Sequence, residues 1–141
     1  MQYNLPCDIA QTLNIIGDKW SLLILHRIFI GYETYKEMQD KLEGIPTNLL
    51  SERLKTMEGD GLIERNLYQD HPPRYKYTLT EKGMDLVHVF SSLMIWGQKH
   101  LNTCHKQVAH KGCKGTIEHK YYCTVCGRNV DINQLEIIDP N

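Results

Sequence analysis

Apolar positions recur with helical period over most of the first hundred residues and with period two over one short stretch. Residues 7 to 16 read as a short helix, with Pro6 preceding or opening it and Gly17 ending it. Lys19 to Ile30 reads as a second helix, apolar on most sides (Trp20, Leu22, Leu23, Ile24, Leu25, Ile28, Phe29), and is predicted to be the buried helix of the core. Thr34 followed three residues on by Glu37 is a capping box that starts a third helix, Tyr35 to Leu42. Glu43-Gly44-Ile45-Pro46 makes a turn, and Thr47 begins a fourth helix. There Leu50, Leu54 and Met57 recur at i, i+4, i+7 and make one apolar face. Thr47, Asn48, Ser51, Arg53 and Lys55 lie off that face and can reach phosphates or base edges. Asp60-Gly61 stops the helix, Gly61 being suited to the left-handed turn after it.

A strand (Leu62 to Tyr68), a Pro-rich turn (Asp70-His71-Pro72-Pro73) and a second strand (Arg74 to Leu79) follow. Thr80, with Gly83 close behind, opens a long fifth helix, roughly Glu81 to Leu101, with a stripe of Leu86, Val89, Phe90, Leu93 and Trp96. Such a helix spans about 30 Å, longer than a small domain needs for its own core. Packing on a second subunit is the expectation, and packing wholly on its own domain the alternative. The predicted fold is α+β: a winged helix-turn-helix body (residues 1–101), closed by a C-terminal dimerisation helix, and a zinc-ribbon-like hairpin tail (residues 104–141).

Composition narrows the classes. The chain has 141 residues, 41% hydrophobic, and no run of about 18 apolar residues, so no span of a membrane is expected. No basic segment followed by an apolar one opens it, which argues against secretion. Of five cysteines, three crowd into residues 113 to 126, a pattern of metal binding in a reducing cytoplasm rather than of a disulfide framework. The net charge of −1 argues against indiscriminate nucleic-acid binding. Its distribution is uneven: −3 over residues 1–98, +5 over 99–128 and −3 over the last thirteen. Cationic surface is therefore local, on the hairpin (Arg65, Arg74, Lys76) and on the tail. No P-loop, Rossmann fingerprint, HExxH or G-x-S-x-G occurs, so no enzyme is expected. A protein-interaction or RNA-binding module fits an Arg/Lys wing less well than duplex DNA does.

Thr47, Asn48 and Ser51 lie near the N-terminus of the fourth helix, where helix-turn-helix proteins contact bases. Thr47 reads equally as an N-cap. Asn48 suits adenine; Arg53 suits guanine or a phosphate, or else pairs with Glu52 or another acid. Arg74 and Lys76 alternate with Tyr75 and Tyr77, which puts the cations on one strand face, toward DNA or simply toward solvent. Tyr35 and Lys36, opening the third helix, are candidate phosphate contacts.

These pieces together resemble the HxlR-type transcriptional regulators, a branch of the MarR-like winged-helix proteins. The resemblance is carried by Cys7, Gly17-Asp18-Lys19-Trp20 with Ser21 to Leu25, Tyr35-Lys36-Glu37-Met38, Gly44 to Leu54, Glu58 to Arg65, Pro72 to Gly83 and Trp96-Gly97. It covers roughly residues 5 to 101. It implies a homodimer on promoter DNA, with the fourth helix in the major groove and the hairpin as wing, in several members answering electrophiles, oxidants or aldehydes. It also implies that Cys7 is a redox sensor, oxidised to a sulfenic acid or a disulfide. A helix N-terminus favours the thiolate and Asp8 opposes it. The other reading of Cys7 is a small buried apolar residue, in a regulator controlled by a small ligand or metal.

The tail carries His110, Cys113, Cys123 and Cys126 as H-x2-C-x9-C-x2-C, with Gly115 and Gly127 close after the second ligand of each pair. Four N/S ligands would make a closed, structural zinc site. Strands are expected from Thr116 to Tyr122 and from Asn129 to Ile132. Cys104, His105 and His119 are alternative ligands. A metal-free tail, or a Cys123–Cys126 disulfide, remains the other reading.

Overall fold

The computed structural model describes residues 2–101, 103–104 and 106–140. Chain contacts divide it into two compact units, one up to Phe90 and one from Ser91 on.

In the first unit, α1 (Asp8–Ile16) follows Cys7 as N-cap residue and ends at Gly17, whose N–H donates to the Leu13 carbonyl at 2.8 Å. An N-terminal arm is tied back onto α1 by side chains: Asn14 accepts from Tyr3 N at 2.8 Å and donates to Tyr3 O at 2.9 Å, while Gln11 donates to Leu5 O at 2.8 Å. α2 (Ser21–Phe29) buries Ser21, Ile24, Leu25 and Ile28 against α3 and the wing. Its other side does not pack as expected: Leu23 and Phe29 are exposed, because a nine-residue helix meets neighbours along one stripe only. Asp18 holds the start of α2, accepting from Trp20 N and Ser21 N, both at 3.1 Å, and from the Ser21 hydroxyl.

α3 (Tyr35–Lys41) begins at the expected capping box: Thr34 Oγ1 accepts from Glu37 N at 3.2 Å, and Glu37 accepts from Thr34 N at 3.0 Å. α4 (Thr47–Gly59) buries Leu50, Leu54 and Met57, the predicted stripe. β1 (Ile63–Gln69) and β2 (Arg74–Leu79) form an antiparallel hairpin with Asn66 opposite Lys76 and Leu67 opposite Tyr75; the register shifts between Leu67 and Gln69. The segment before α3 joins this sheet through Tyr77 N, which donates to Glu33 O at 2.8 Å.

The single long fifth helix is in fact two, α5 (Glu81–Asp85) and α6 (Val87–His100). Thr80 caps α5 by accepting from Gly83 N at 3.1 Å, and Gly83 presses on the Leu62 carbonyl, where a Cβ would stand only 2.1 Å away. With α5 held there, the chain turns at Leu86 through tight bonds, Leu86 N to Gly83 O at 3.1 Å and Val89 N to Leu86 O at 3.0 Å. Phe90 then closes the core against His26 and Phe29, ring centroids 5.2 and 5.7 Å away.

The second unit holds the rest of α6 and two small hairpins. Thr116 bridges Ala109, so the first expected strand is shorter than predicted: β3 (Tyr121–Cys123) pairs only with β4 (Arg128–Val130). No described residue from Ser91 on is buried.

Candidate nucleic-acid interface

The candidate side chains of the first unit lie on α3, α4 and the β-hairpin. Thr47, Asn48, Ser51 and Lys55 stand exposed on α4, opposite its buried stripe. Pro46, not Thr47, is the N-cap residue, and no side chain caps this helix. The cap reading of Thr47 is thereby overturned: Pro46 holds the extended conformation a cap requires (φ −63°, ψ 139°), so Thr47 becomes the first helical residue, and it is exposed. Tyr35, expected at a phosphate, donates its hydroxyl to the Thr47 carbonyl at 2.8 Å. It ties the start of α3 to the start of α4, a contact that two residues twelve apart do not announce. Lys36, beside it, is exposed and forms no ion pair among the described residues.

Arg53 is turned away from this face. Its Nη1 lies 3.7 Å from Asp18 and its Nη2 4.0 Å from Glu52, and its Nε is buried without a hydrogen-bond partner. Burial pushes the Asp18 carboxyl up, but the Ser21 hydroxyl, the Trp20 amide and the Arg53 charge outweigh it and hold Asp18 below its ordinary value. The acid alternative for Arg53 is thus the one the geometry meets.

The hairpin separates its cations. Arg74 and Lys76 are exposed on one face and Tyr75 and Tyr77 half-buried on the other, as period two predicts. Lys76 lies over the Tyr68 ring at 5.6 Å; Arg74 has no ion pair among the described residues. Arg65 sits on the tyrosine side, over Tyr75 at 4.5 Å and 3.2 Å from Glu58. A groove lined by Tyr35, Ser51, Lys55, Glu58, Arg65 and Tyr77 runs between α4 and the wing. Burial pushes the Tyr77 phenol up, so it stays neutral there. Lys36, Lys55 and Arg74, without ion pairs among the described residues, can each meet a phosphate, while Asn48 and Ser51 can read base edges.

Cys7 is exposed at the N-terminus of α1, in extended conformation, and its sulfur makes no cap hydrogen bond. In the tail the donors stand in two pairs. His110 Nδ1 lies 3.2 Å from Cys113 Sγ, which accepts from Gly115 N at 3.3 Å. Cys123 Sγ accepts from Cys126 N at 3.3 Å, and the amides of Cys126 and Val125 draw its thiol below the ordinary value. No three His, Cys, Asp or Glu side chains gather as a metal site among the described residues. Of the alternative ligands, His119 is bonded to Ser92 Oγ at 2.7 Å, Cys104 is exposed, and His105 lies outside the described residues. Among the described residues no helix is long and apolar enough to cross a membrane.

A family model described as HxlR-like helix-turn-helix matches residues 15–105. Rv3095 of Mycobacterium tuberculosis, described as an uncharacterized HTH-type transcriptional regulator, is 33% identical over 126 residues, 87% of this chain and 79% of its own. YdeP of Bacillus subtilis, described in the same words, is 32% identical over 79% of this chain and 87% of its own. Among solved structures, PA1374 of Pseudomonas aeruginosa, titled as a candidate transcription factor, superposes with TM-score 0.70 at 28% identity, over 95% of this chain and 92% of that one. The reduced form of the transcriptional regulator YodB from B. subtilis gives TM-score 0.57 at 31% identity over 68% of this chain and 95% of that one. The redox regulator HypR in its reduced form gives 0.64 at 27% identity, over 68% and 95%.

Proposed function

Because the chain belongs to the HxlR-like helix-turn-helix family of transcriptional regulators, we propose that it reads promoter DNA as a homodimer and that oxidation of Cys7 changes its affinity. The observation that carries the DNA-reading part is the shared exposure of Asn48, Ser51 and Lys55 on α4 with Arg74 on the wing. Asn48 and Ser51 face bases, Thr47 assists, and Lys36, Lys55, Arg74 and Lys76 neutralise phosphates. The dimer is supported by apolar side chains left uncovered on two helices. On α1 these are Ile9 (73% exposed) and Leu13; on α6 they are Leu93 (55%) and Trp96 (57%). Each makes a helical stripe of the kind that buries against a second copy.

Cys7 as the switch is supported by its exposure at a helix N-terminus and by the likeness to a redox regulator. Oxidation would give a sulfenic acid or a disulfide to a second thiol. The test is fluorescence anisotropy on the protein's own upstream region, reduced and after mild diamide, at fixed salt, with light scattering to count subunits. Tight specific binding lost on oxidation, restored by thiol and made indifferent to oxidant by Cys7→Ser, is the expected result. Binding that falls equally in Cys7→Ser would remove Cys7 as the sensor. A monomer at concentrations that saturate DNA would remove the homodimer.

A further inference from the structure

The two cysteine-bearing turns of the tail share one backbone pattern. At offset thirteen, His110 corresponds to Cys123, Cys113 to Cys126 and Lys114 to Gly127. In the first, Lys114 N donates to His110 O at 2.8 Å; in the second, Gly127 N donates to Cys123 O at 2.9 Å. Both donors sit in the left-handed region, Lys114 at φ 62° and Gly127 at φ 67°. Each turn also aims a backbone amide at a sulfur, at different places: Gly115 N at Cys113, the second donor of its pair, and Cys126 N at Cys123, the first of its pair, both at 3.3 Å. The left-handed residue directly after the second donor is thus Lys114 in the first turn and Gly127 in the second.

We propose that these two turns are the knuckles of one structural zinc site, with His110, Cys113, Cys123 and Cys126 as its four ligands. Ligands at i and i+3 within a turn reach one ion together, and amides aimed at sulfur stabilise thiolate, so each pair is shaped for a metal before meeting the other pair. No three donors gather among the described residues, so each pair stands as an open half-site, and the proposed site forms only when zinc draws the two pairs onto one ion. Two further features call for such a staple. The hairpins have no buried residue between them, and β3 and β4 are three residues each, too short to stand in water by themselves. The surrounding segment also carries the charge the site needs. Three thiolates, a neutral imidazole and Zn²⁺ sum to −1, and residues 99–128 carry +5 before the thiols lose their protons. Binding releases three thiol protons and transfers no electrons.

Metal content of the full chain, purified reduced and without a histidine tag, tests this. About one zinc per chain is expected, falling below about 0.3 in Cys113→Ser and in Cys126→Ser but retained in Cys104→Ser. Co²⁺ in place of zinc should give the absorption of a tetrahedral thiolate site, a readout on the wild-type chain that stands even if a variant fails to fold. Zinc protection of Cys113, Cys123 and Cys126 from alkylation, with Cys7 and Cys104 reactive, is the third expected result. Less than about 0.3 zinc in the wild type after refolding with zinc, or full zinc in Cys126→Ser, overturns the site. So does a Cys123–Cys126 disulfide in the freshly isolated reduced protein. None of these readouts depends on DNA, so promoter binding can stand or fall separately.

Discussion

Arg53 on α4 reaches 3.7 Å to Asp18, the residue that holds the start of α2 by three hydrogen bonds. The pair links α4 to the start of α2. Arg53→Ala is therefore expected to lower stability by about 1 kcal/mol, part ion pair and part lost packing of a half-buried side chain. It should leave the salt dependence of DNA binding unchanged. Chemical denaturation beside a salt titration of operator affinity checks this. A lost phosphate contact would lower the slope instead.

The same pair sets an acid limb. Asp18 is held below the ordinary aspartate value of 3.8, so its contribution is present above that value and is lost as pH falls through the lower, folded value. Stability of the wild type should drop more steeply below about pH 4 than that of Asp18→Asn, which has no proton to gain there. Urea midpoints between neutral pH and pH 3 would show it. Parallel curves would mean that Asp18 titrates alike folded and unfolded.

Asn48 and Arg74 are predicted to fail differently. Arg74→Ala should weaken binding to specific and random duplex alike and reduce the log–log salt slope by about 1. Asn48→Ala should cost about 1–3 kcal/mol on the operator and little on random duplex, relaxing preference at one base pair. Equal loss of specific and random binding in Asn48→Ala would move it from base reader to positioning contact.

Gly83→Ala is predicted to destabilise the first unit by about 1–3 kcal/mol, seen as a lower melting temperature. The added Cβ would stand 2.1 Å from the Leu62 carbonyl oxygen, which is itself fixed by Thr80 N at 3.1 Å. Both neighbours are backbone, so neither can yield cheaply. An unchanged melting curve would show that α5 is free to shift.

What was legible in the chain follows from how local each cause is. The stripe of Leu50, Leu54 and Met57 and the alternation of Arg74 to Tyr77 are periodic, so both faces were readable from sequence. The Thr34–Glu37 box lies within one turn and was equally readable. For Arg53 the pairing with Glu52 or another acid was readable, but Asp18 as the partner was not, because it is 35 residues away. The break at Leu86 carries no Gly or Pro of its own; it follows the turn in which Gly83 presses on Leu62, a contact between distant segments. The outward face of α2 misled in a related way, since apolar spacing shows what can be buried but not what covers it. Asn14 and Gln11, which clamp the arm carrying Cys7, had no signal beyond being polar on one side of a helix.

The two tail turns make a prediction of opposite sign at equivalent positions. A side chain in the left-handed region costs about 1 kcal/mol or more, a cost glycine escapes. Lys114 bears that strain at φ 62° and Gly127, at φ 67°, does not. Lys114→Gly should therefore stabilise the first turn and Gly127→Ala destabilise the second, each by about 1 kcal/mol. The amides to watch are those that face sulfur, Gly115 and Cys126. Hydrogen exchange at Gly115 should slow in the first variant, and exchange at Cys126 should quicken in the second. If the turns close on a shared zinc ion, both changes also appear in its affinity, about five-fold tighter and five-fold weaker. Opposite shifts in exchange without any shift in zinc affinity would mean that the turns fold independently of the metal. Shifts of the same sign would mean that the two turns are not equivalent.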